Sequence, residues 1–237
     1  NIVTKLSDPA LGFNYDVTES GEVNDNGVMN VKTQILKEGM PVGSFWGYKF
    51  AGFKSDGTWM YNTPTGGHVS ATNAVESQKQ IIGNAQPWVT FGWNNTFRYK
   101  NFDLNVFFRG ALGFEIFNMQ KYGMGMIGAG SDNVLRSAYL DKTNAYASGG
   151  VISSYFLEKG DWFKLESLTL GYNFTPANTD ILKKMRVYLS AKNLFTLTGY
   201  SGNDPSILAS NGLTPSIDNS GAYPLAAQVT LGLTMNF

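Results

Sequence analysis

The segment AAQVTLGLTMNF at residues 226–237 places apolar side chains on every odd number from Ala227 (Ala227, Val229, Leu231, Leu233, Met235, Phe237). Gln228, Thr230, Gly232, Thr234 and Asn236 lie between them. Successive side chains on a strand point to opposite faces, so the pattern predicts a β-strand with one apolar and one polar face. Its length narrows the choice. The eleven residues 227–237, rising roughly 3.3 Å each and tilted by about 45°, cover about 25 Å, the height of the apolar band on a transmembrane barrel. An ordinary soluble strand is about half as long.

The same pattern recurs upstream. In WVTFGWNNTFRY (88–99), Val89, Phe91, Trp93, Phe97 and Tyr99 share one face, with Thr90, Gly92, Asn94, Thr96 and Arg98 on the other. Lys100 and Asn101 make a tight connection to FDLNVFFRG, where Phe102, Leu104, Val106 and Phe108 oppose Asp103, Asn105 and Arg109, which predicts a hairpin. DWFKLESLTLGYNF (161–174) carries Phe163 and Leu165, then Leu168, Leu170, Tyr172 and Phe174. The change of parity predicts a β-bulge near Glu166 and Ser167. RVYLSAKN follows, with Val187, Leu189 and Ala191 set against Arg186, Tyr188, Ser190 and Lys192. VMNVKTQIL (28–36) and VGSFWGYKFAGF (42–53) suggest another pair around Glu38 to Pro41.

Connections alternate between short (37–41, 100–101, 175–183) and long (54–87, 114–161, 198–224). An outer-membrane barrel has this asymmetry, with short periplasmic turns and long extracellular loops. Trp88 and Phe163 fall near the long-connection ends of strands, and Tyr99, Phe102, Tyr172, Phe174 and Phe237 near the short-turn ends, as two interfacial aromatic girdles require. The expected fold is all-β, a segment of an antiparallel transmembrane barrel with apolar residues toward lipid and polar residues toward a wet lumen.

Composition removes other classes. Lys plus Arg equals Asp plus Glu at 18 each, so no net field draws nucleic acid. With no Cys, disulfide scaffolds, thiolate metal sites and cysteine nucleophiles are excluded. No stretch approaches the roughly 18 consecutive apolar residues of a transmembrane helix. The start, NIVTKLSDPA, lacks a basic run followed by an apolar one, so no signal peptide is read there. The single histidine, His68 in TPTGGHVS, has Ser70 and Glu76 nearby but no nucleophile elbow, and reads as a surface residue. GMGMIGAG (123–130) lacks the strand–helix frame of a nucleotide fingerprint and reads as a mobile or closely packed loop. Neither a catalytic constellation nor a cofactor is expected.

Four segments in order, KEGMPVGSFWGYKFAGF (37–53), IIGNAQPWVTFGWNNTFRYKNFDLNVFFRGALG (81–113), YFLEKGDWFKLESLTLGYNF (155–174) and RVYLSAKNLFTLTGYSGNDP (186–205), closed by YPLAAQVTLGLTMNF, resemble the C-terminal part of the SusC/RagA family of TonB-dependent outer-membrane transporters. The resemblance implies a barrel of about 22 strands around an N-terminal plug, a SusD-like surface lipoprotein as partner, and import of oligosaccharides, or in some members peptides, with energy passed from TonB to the plug. This chain would supply about seven or eight strands, without the plug and earlier strands. Many members carry an Asp-rich segment between the first two blocks. Here Asp56 is the only Asp in residues 54–80, so no metal is expected there. A self-contained small barrel, a porin or adhesin, is the alternative.

Aromatic faces stack on sugar rings, which makes Trp59, Tyr61, Tyr122, Tyr146 and Tyr200 candidate substrate or lid contacts, with Tyr139, Tyr155 and Tyr223 also in long connections. Met124 and Met126, soft apolar side chains among glycines, are candidate contacts for the lipoprotein lid or the plug. Arg98, Asp103, Arg109, Lys164 and Glu166, with Arg186 and Lys192, are expected on the lumen wall as a charge network. Phe237 looks like the terminal aromatic that barrel-assembly machinery recognises.

Overall fold

The computed structural model describes residues 1–8, 10, 17–24, 30–127, 133–140, 152–177, 182–206, 212–218, 223 and 225–237. The first strands are short: β1 (Val17–Asn24), β2 (Asn30–Lys37), β3 (Ser44–Gly47), β4 (Lys49–Phe53), β5 (Trp59–Asn62), β6 (His68–Ser70) and β7 (Gln80–Asn84). Two strands of 11 residues follow, β8 (Val89–Tyr99) and β9 (Phe102–Leu112). β10 (Glu115–Asn118), helices α1 (Met119–Met124) and α2 (Arg136–Leu140), and β11 (Leu157–Lys159) lead to β12 (Trp162–Phe174) and β13 (Lys184–Thr198), of 13 and 15 residues. β14 (Ile217–Asp218) precedes the last strand, β15 (Gln228–Asn236). Two compact units divide the chain: a core unit of Asn1–Pro87, Gly113–Gly160 and Tyr200–Ala222, and a sheet unit of Trp88–Leu112, Asp161–Gly199 and Tyr223–Phe237.

The sheet unit is one antiparallel sheet in the order β15-β13-β12-β9-β8. Its hairpin from β8 to β9 turns on Lys100 (φ 51°) and Asn101, the two residues expected. Positive φ at the first turn residue matches the right-handed twist of the flanking strands. The expected bulge is present: pairing of β12 to both neighbours shifts between Leu165 and Ser167. β13 runs on to Thr198, beyond the alternating RVYLSAKN run, and Asn193 adopts φ 53° opposite the bulge.

Register collects the apolar residues into rows across the strands. Leu231 pairs with Leu189, Leu189 with Leu170, Leu170 with Leu104, and Leu104 with Phe97. A second row joins Leu233, Val187, Tyr172, Phe102 and Tyr99. These rows are open: Leu231 is 75% exposed and Leu233 49%. So continuous an apolar face on a chain read as a barrel segment demands an apolar medium. Aromatics gather toward the strand ends. Phe108 and Phe163 stack at 5.2 Å, with Trp93 beyond Phe108, while near the short turns Tyr172 stacks on Phe174 and meets Phe102 at a tilt.

The core unit absorbs the N-terminal segment and most of the three long connections, and it has a hydrophobic centre of its own. Phe45, Tyr48, Trp59, Tyr61, Phe117, Tyr122, Met126, Phe156 and Ile217 are buried there together. Three small sheets, β1-β2-β3-β7, β4-β5-β6 and β11-β10-β14, carry Phe45, Trp59, Tyr61, Phe117 and Ile217, while Tyr122 comes from α1 and Tyr48, Met126 and Phe156 from the connections between strands. The pair expected across Glu38 to Pro41 forms, Gln34 opposite Phe45 and Ile35 opposite Ser44. It lies in this unit rather than in the long-stranded sheet, and VGSFWGYKFAGF divides between β3 and β4 in two sheets. Sequence-distant pieces meet in register: Phe117 pairs in parallel with Ile217. No helix among the described residues is long and apolar enough to cross a membrane, which leaves crossing by strands untouched.

The facing makes a directional prediction. Leu231→Arg puts a charge on the apolar face in mid-strand and should cost about 2 to 4 kcal/mol, whereas Thr230→Arg, one position away, should cost little. Urea titration of the protein refolded into lipid vesicles reads both. Equal losses would contradict the assigned faces.

Candidate functional site

The polar face of the sheet unit holds a braced charge cluster. Asp103 accepts hydrogen bonds from Arg186 Nε (3.0 Å) and Nη2 (2.5 Å), and from Asn173 Nδ2 (2.6 Å). β9 and β13 are not neighbours, so the ion pair bridges β12. It can do so because the β12 residue between them is Gly171, paired with Asp103 on one side and Tyr188 on the other. A Cβ there would lie 2.5 Å from Arg186 Nη2 and 2.6 Å from Asp103 Oδ2. The Arg186 guanidinium also stands 4.9 Å from the Tyr188 ring, a cation–π contact. That ring covers the next gap, since a Cβ on Gly232, the β15 partner of Tyr188, would overlap it.

Six of the seven expected wall residues, Arg98, Asp103, Arg109, Lys164, Arg186 and Lys192, share this face. Arg98 is the cross-strand neighbour of Asp103, and Arg109 that of Lys164. Glu166, displaced at the bulge, reaches back to Arg109 at 3.5 Å, and Arg109 lies 5.9 Å from the Trp162 ring. Lys164 is buried, 2% exposed. Between the two charged ends run neutral bonds, Thr169 to Ser190 (3.0 Å) and Asn105 Nδ2 to both Asn94 and Thr96 (2.9 Å). Alternation placed Asp103 and Arg186 on one face, but only the register reveals that they pair. An open cleft of ≈ 870 Å³ adjoins the cluster at the short-turn end, lined by residues including Arg98, Lys100, Asn101, Lys184 and Arg186.

The expected aromatic contacts lie elsewhere. Trp59 and Tyr61 are fully buried in the core unit, and Tyr122 is 4% exposed. Tyr61 stacks on Tyr48 at 5.0 Å, and Trp59 packs edge-on against Phe50, Phe53 and Tyr155. Burial pushes the Tyr61 hydroxyl far above the usual tyrosine range. Met126 is buried in the same centre, while Met124 is half-buried at the end of α1. Aromatic surface is open instead at Tyr139, at Phe53 and, in the sheet unit, at Tyr223. Tyr146 lies outside the described residues. His68 is exposed on β6.

Tyr200 is buried and donates to Asp218 Oδ2 at 2.6 Å. Beside it, Glu158 accepts from Ser201 N and Oγ (both 2.9 Å) and from Asn118 Nδ2 (3.3 Å), and its Oε1 lies 3.6 Å from Lys121 Nζ. Asn118 Oδ1 caps α1 by accepting from Lys121 N, and Lys121 Nζ stands 4.3 Å from the Tyr155 ring. The network fastens the connection after β13 to β10, β11 and β14. Burial, then the Asp218 carboxylate, hold the Tyr200 hydroxyl far above its ordinary value.

No protein-family model matches the chain. TonB-dependent receptor P3 of Formosa agariphila is 32% identical over 238 positions, covering 87% of this chain and 23% of the relative. TonB-dependent receptor SusC of Bacteroides thetaiotaomicron is 27% identical over 246 positions, covering all of this chain and again 23% of the relative. The fold is similar to that in the structure of the RagAB peptide transporter, with a TM-score of 0.70 at 20% identity over 94% of this chain and 25% of that one. The chain is a SusC/RagA-type segment. It spans about a quarter of the length of the relatives it matches. The relatives it matches are TonB-dependent receptors and a transporter, not enzymes.

The Tyr200 hydroxyl predicts a pH effect. Its folded pKa is raised, so the stability it contributes is complete below the unfolded value of about 10 and is lost as pH rises above it. Tyr200→Phe should lower the thermal midpoint at pH 7, consistent with losing a hydrogen bond to a charged group worth about 1.5 to 3 kcal/mol, and should make the decline from pH 9.5 to 11 shallower. Parallel pH profiles for the two proteins would contradict this.

Proposed function

We propose that these residues form the C-terminal part of the barrel of a TonB-dependent outer-membrane transporter, with the plug and earlier strands supplied by sequence outside the chain. The observation that carries this reading is the 32% identity to a TonB-dependent receptor across a chain whose longest strands make one sheet with a continuous apolar face. In this reading the Leu231 to Phe97 row meets lipid, and the Asp103–Arg186 brace faces the water-filled lumen and keeps three adjacent strands in register. With the C-terminus periplasmic, β15 runs inward, and the long connections 54–87, 114–161 and 198–224 are extracellular. A SusD-like surface lipoprotein is their partner, with Met124 better exposed than Met126 to meet it or the plug. TonB acts through the plug.

Oligosaccharide is the proposed cargo, as the resemblance of the four sequence blocks to the SusC/RagA family implies. Peptide cargo is the second reading, supported by the likeness to RagAB, whose structures are titled as those of a peptide transporter and importer. Deleting the gene for the intact transporter and following labelled oligosaccharides and labelled peptides separates them. Glycan uptake should fall to the level of a TonB-deficient strain with peptide uptake unchanged. The reverse result selects peptide, and no change in either removes the transport reading.

Phe237, 72% exposed just beyond β15, is the proposed assembly signal. Its deletion should reduce insertion into the outer membrane several-fold while leaving the thermal midpoint of the inserted fraction nearly unchanged. Unchanged insertion, read by heat-shifted mobility on gels, would remove that role.

A further inference from the structure

The cleft at the short-turn end of the sheet unit is lined by four cations, Arg98, Lys100, Lys184 and Arg186, and by one carboxylate, Asp103. That carboxylate is already committed. Arg186 holds both of its oxygens, and Asn173 donates to one of them as well. Among the described residues, Arg98 and Lys184 have no hydrogen-bond or ion-pair partner, and Lys100 meets only the face of the Tyr99 ring at 5.4 Å. Three cations therefore border one cleft of ≈ 870 Å³ with a single carboxylate to offset them: Asp103, the cross-strand neighbour of Arg98, acts on it by charge alone while Arg186 holds both its oxygens, although the chain as a whole carries no net charge. Like charges so arranged repel one another unless an anion sits between them. The guanidinium of Arg98 offers a planar fork that suits a carboxylate, and Lys100 and Lys184 add point charges. Thr96, Asn101 and Thr175 line the same space as neutral hydrogen-bonding groups.

We infer that this cleft is a carboxylate-binding site, with Arg98 as the principal ligand-binding residue and Lys100 and Lys184 as supporting charges. The inference goes beyond the transport reading and rests on the sheet alone. A carboxylate can come from two sources: an acidic stretch of the same polypeptide outside these residues, or a soluble acidic molecule.

The test uses the intact polypeptide containing this segment, purified in detergent, with a fluorescent tri-glutamate peptide as probe at 50 and 300 mM salt. Arg98→Gln with Lys184→Gln removes the charge, and Arg98→Lys with Lys184→Arg retains it. With a soluble source, the wild type binds the peptide, the Gln variant binds at least tenfold more weakly, and the charge-retaining variant recovers most of the affinity. With an internal source, the wild type does not bind the peptide. Its thermal midpoint then falls from 50 to 300 mM salt, and the Gln variant, but not the charge-retaining one, loses that salt dependence. Should the Gln variant fail to assemble, the salt response of the wild type decides. Salt-insensitive peptide binding and thermal midpoint in the wild type would overturn the inference, as would a Gln variant matching the wild type in both. Neither readout involves uptake, so a failure here is distinct from a failure of the transport reading.

Discussion

β12 is hydrogen-bonded to β9 on one side and to β13 on the other, and the rest of the sheet unit follows from that double ladder. Side chains alternate along a strand, so a slip of one residue on either side would send every leucine of that neighbour to the polar face. With the observed register, Leu104, Leu170 and Leu189 fall in one row, and Asp103, Gly171 and Tyr188 in the next. The second row is what brings Asp103 within reach of Arg186 across a residue with no side chain. Backbone pairing thus sets both the apolar rows and the polar brace, and the brace in turn resists the slip.

The bulge at Glu166 lets one strand serve two parities. Lys164 and Ser167 are three residues apart, yet both lie on the polar face, opposite Arg109 and Phe107 respectively. An unbroken strand would have turned one of them toward the apolar side. With the extra residue, Leu165 and Leu168 both join the apolar rows, and Glu166 is freed to meet Arg109. Burying Lys164 costs less on a face lined by polar groups than among leucines.

The core unit obeys a different constraint. Its strands are short, so none buries much by itself, and the aromatic residues that each connection carries find cover only against one another. Trp59 and Tyr61 from one connection pack with Phe117, Tyr122 and Phe156 from the next, while Ile217 comes from a third. Some of the polar groups buried with them pair across the chain: Tyr200 with Asp218, Gln34 Nε2 with the carbonyl of Pro215, and Ser216 Oγ with the carbonyl of Ala85. The same rings that chemistry makes suitable for stacking on a sugar are, at Trp59 and Tyr61, spent on holding this unit together.

The sequence by itself determined the β8–β9 hairpin, the two faces of the long strands, the bulge and the family. A period of two is a local property of the backbone, so a single strand displays it whatever its neighbours do. Blocks such as KEGMPVGSFWGYKFAGF carry the family in their order. Tertiary structure alone decided that Asp103 pairs with Arg186 rather than with its cross-strand neighbour Arg98, because that choice depends on the registers of three strands at once. It alone decided that the long connections share a core with the N-terminal segment. Packing among pieces far apart in the chain has no period for a sequence to show. Burial of an aromatic in a connection depends on which other segments reach it, and for Trp59, Tyr61 and Tyr122 those segments lie up to a hundred residues or more away.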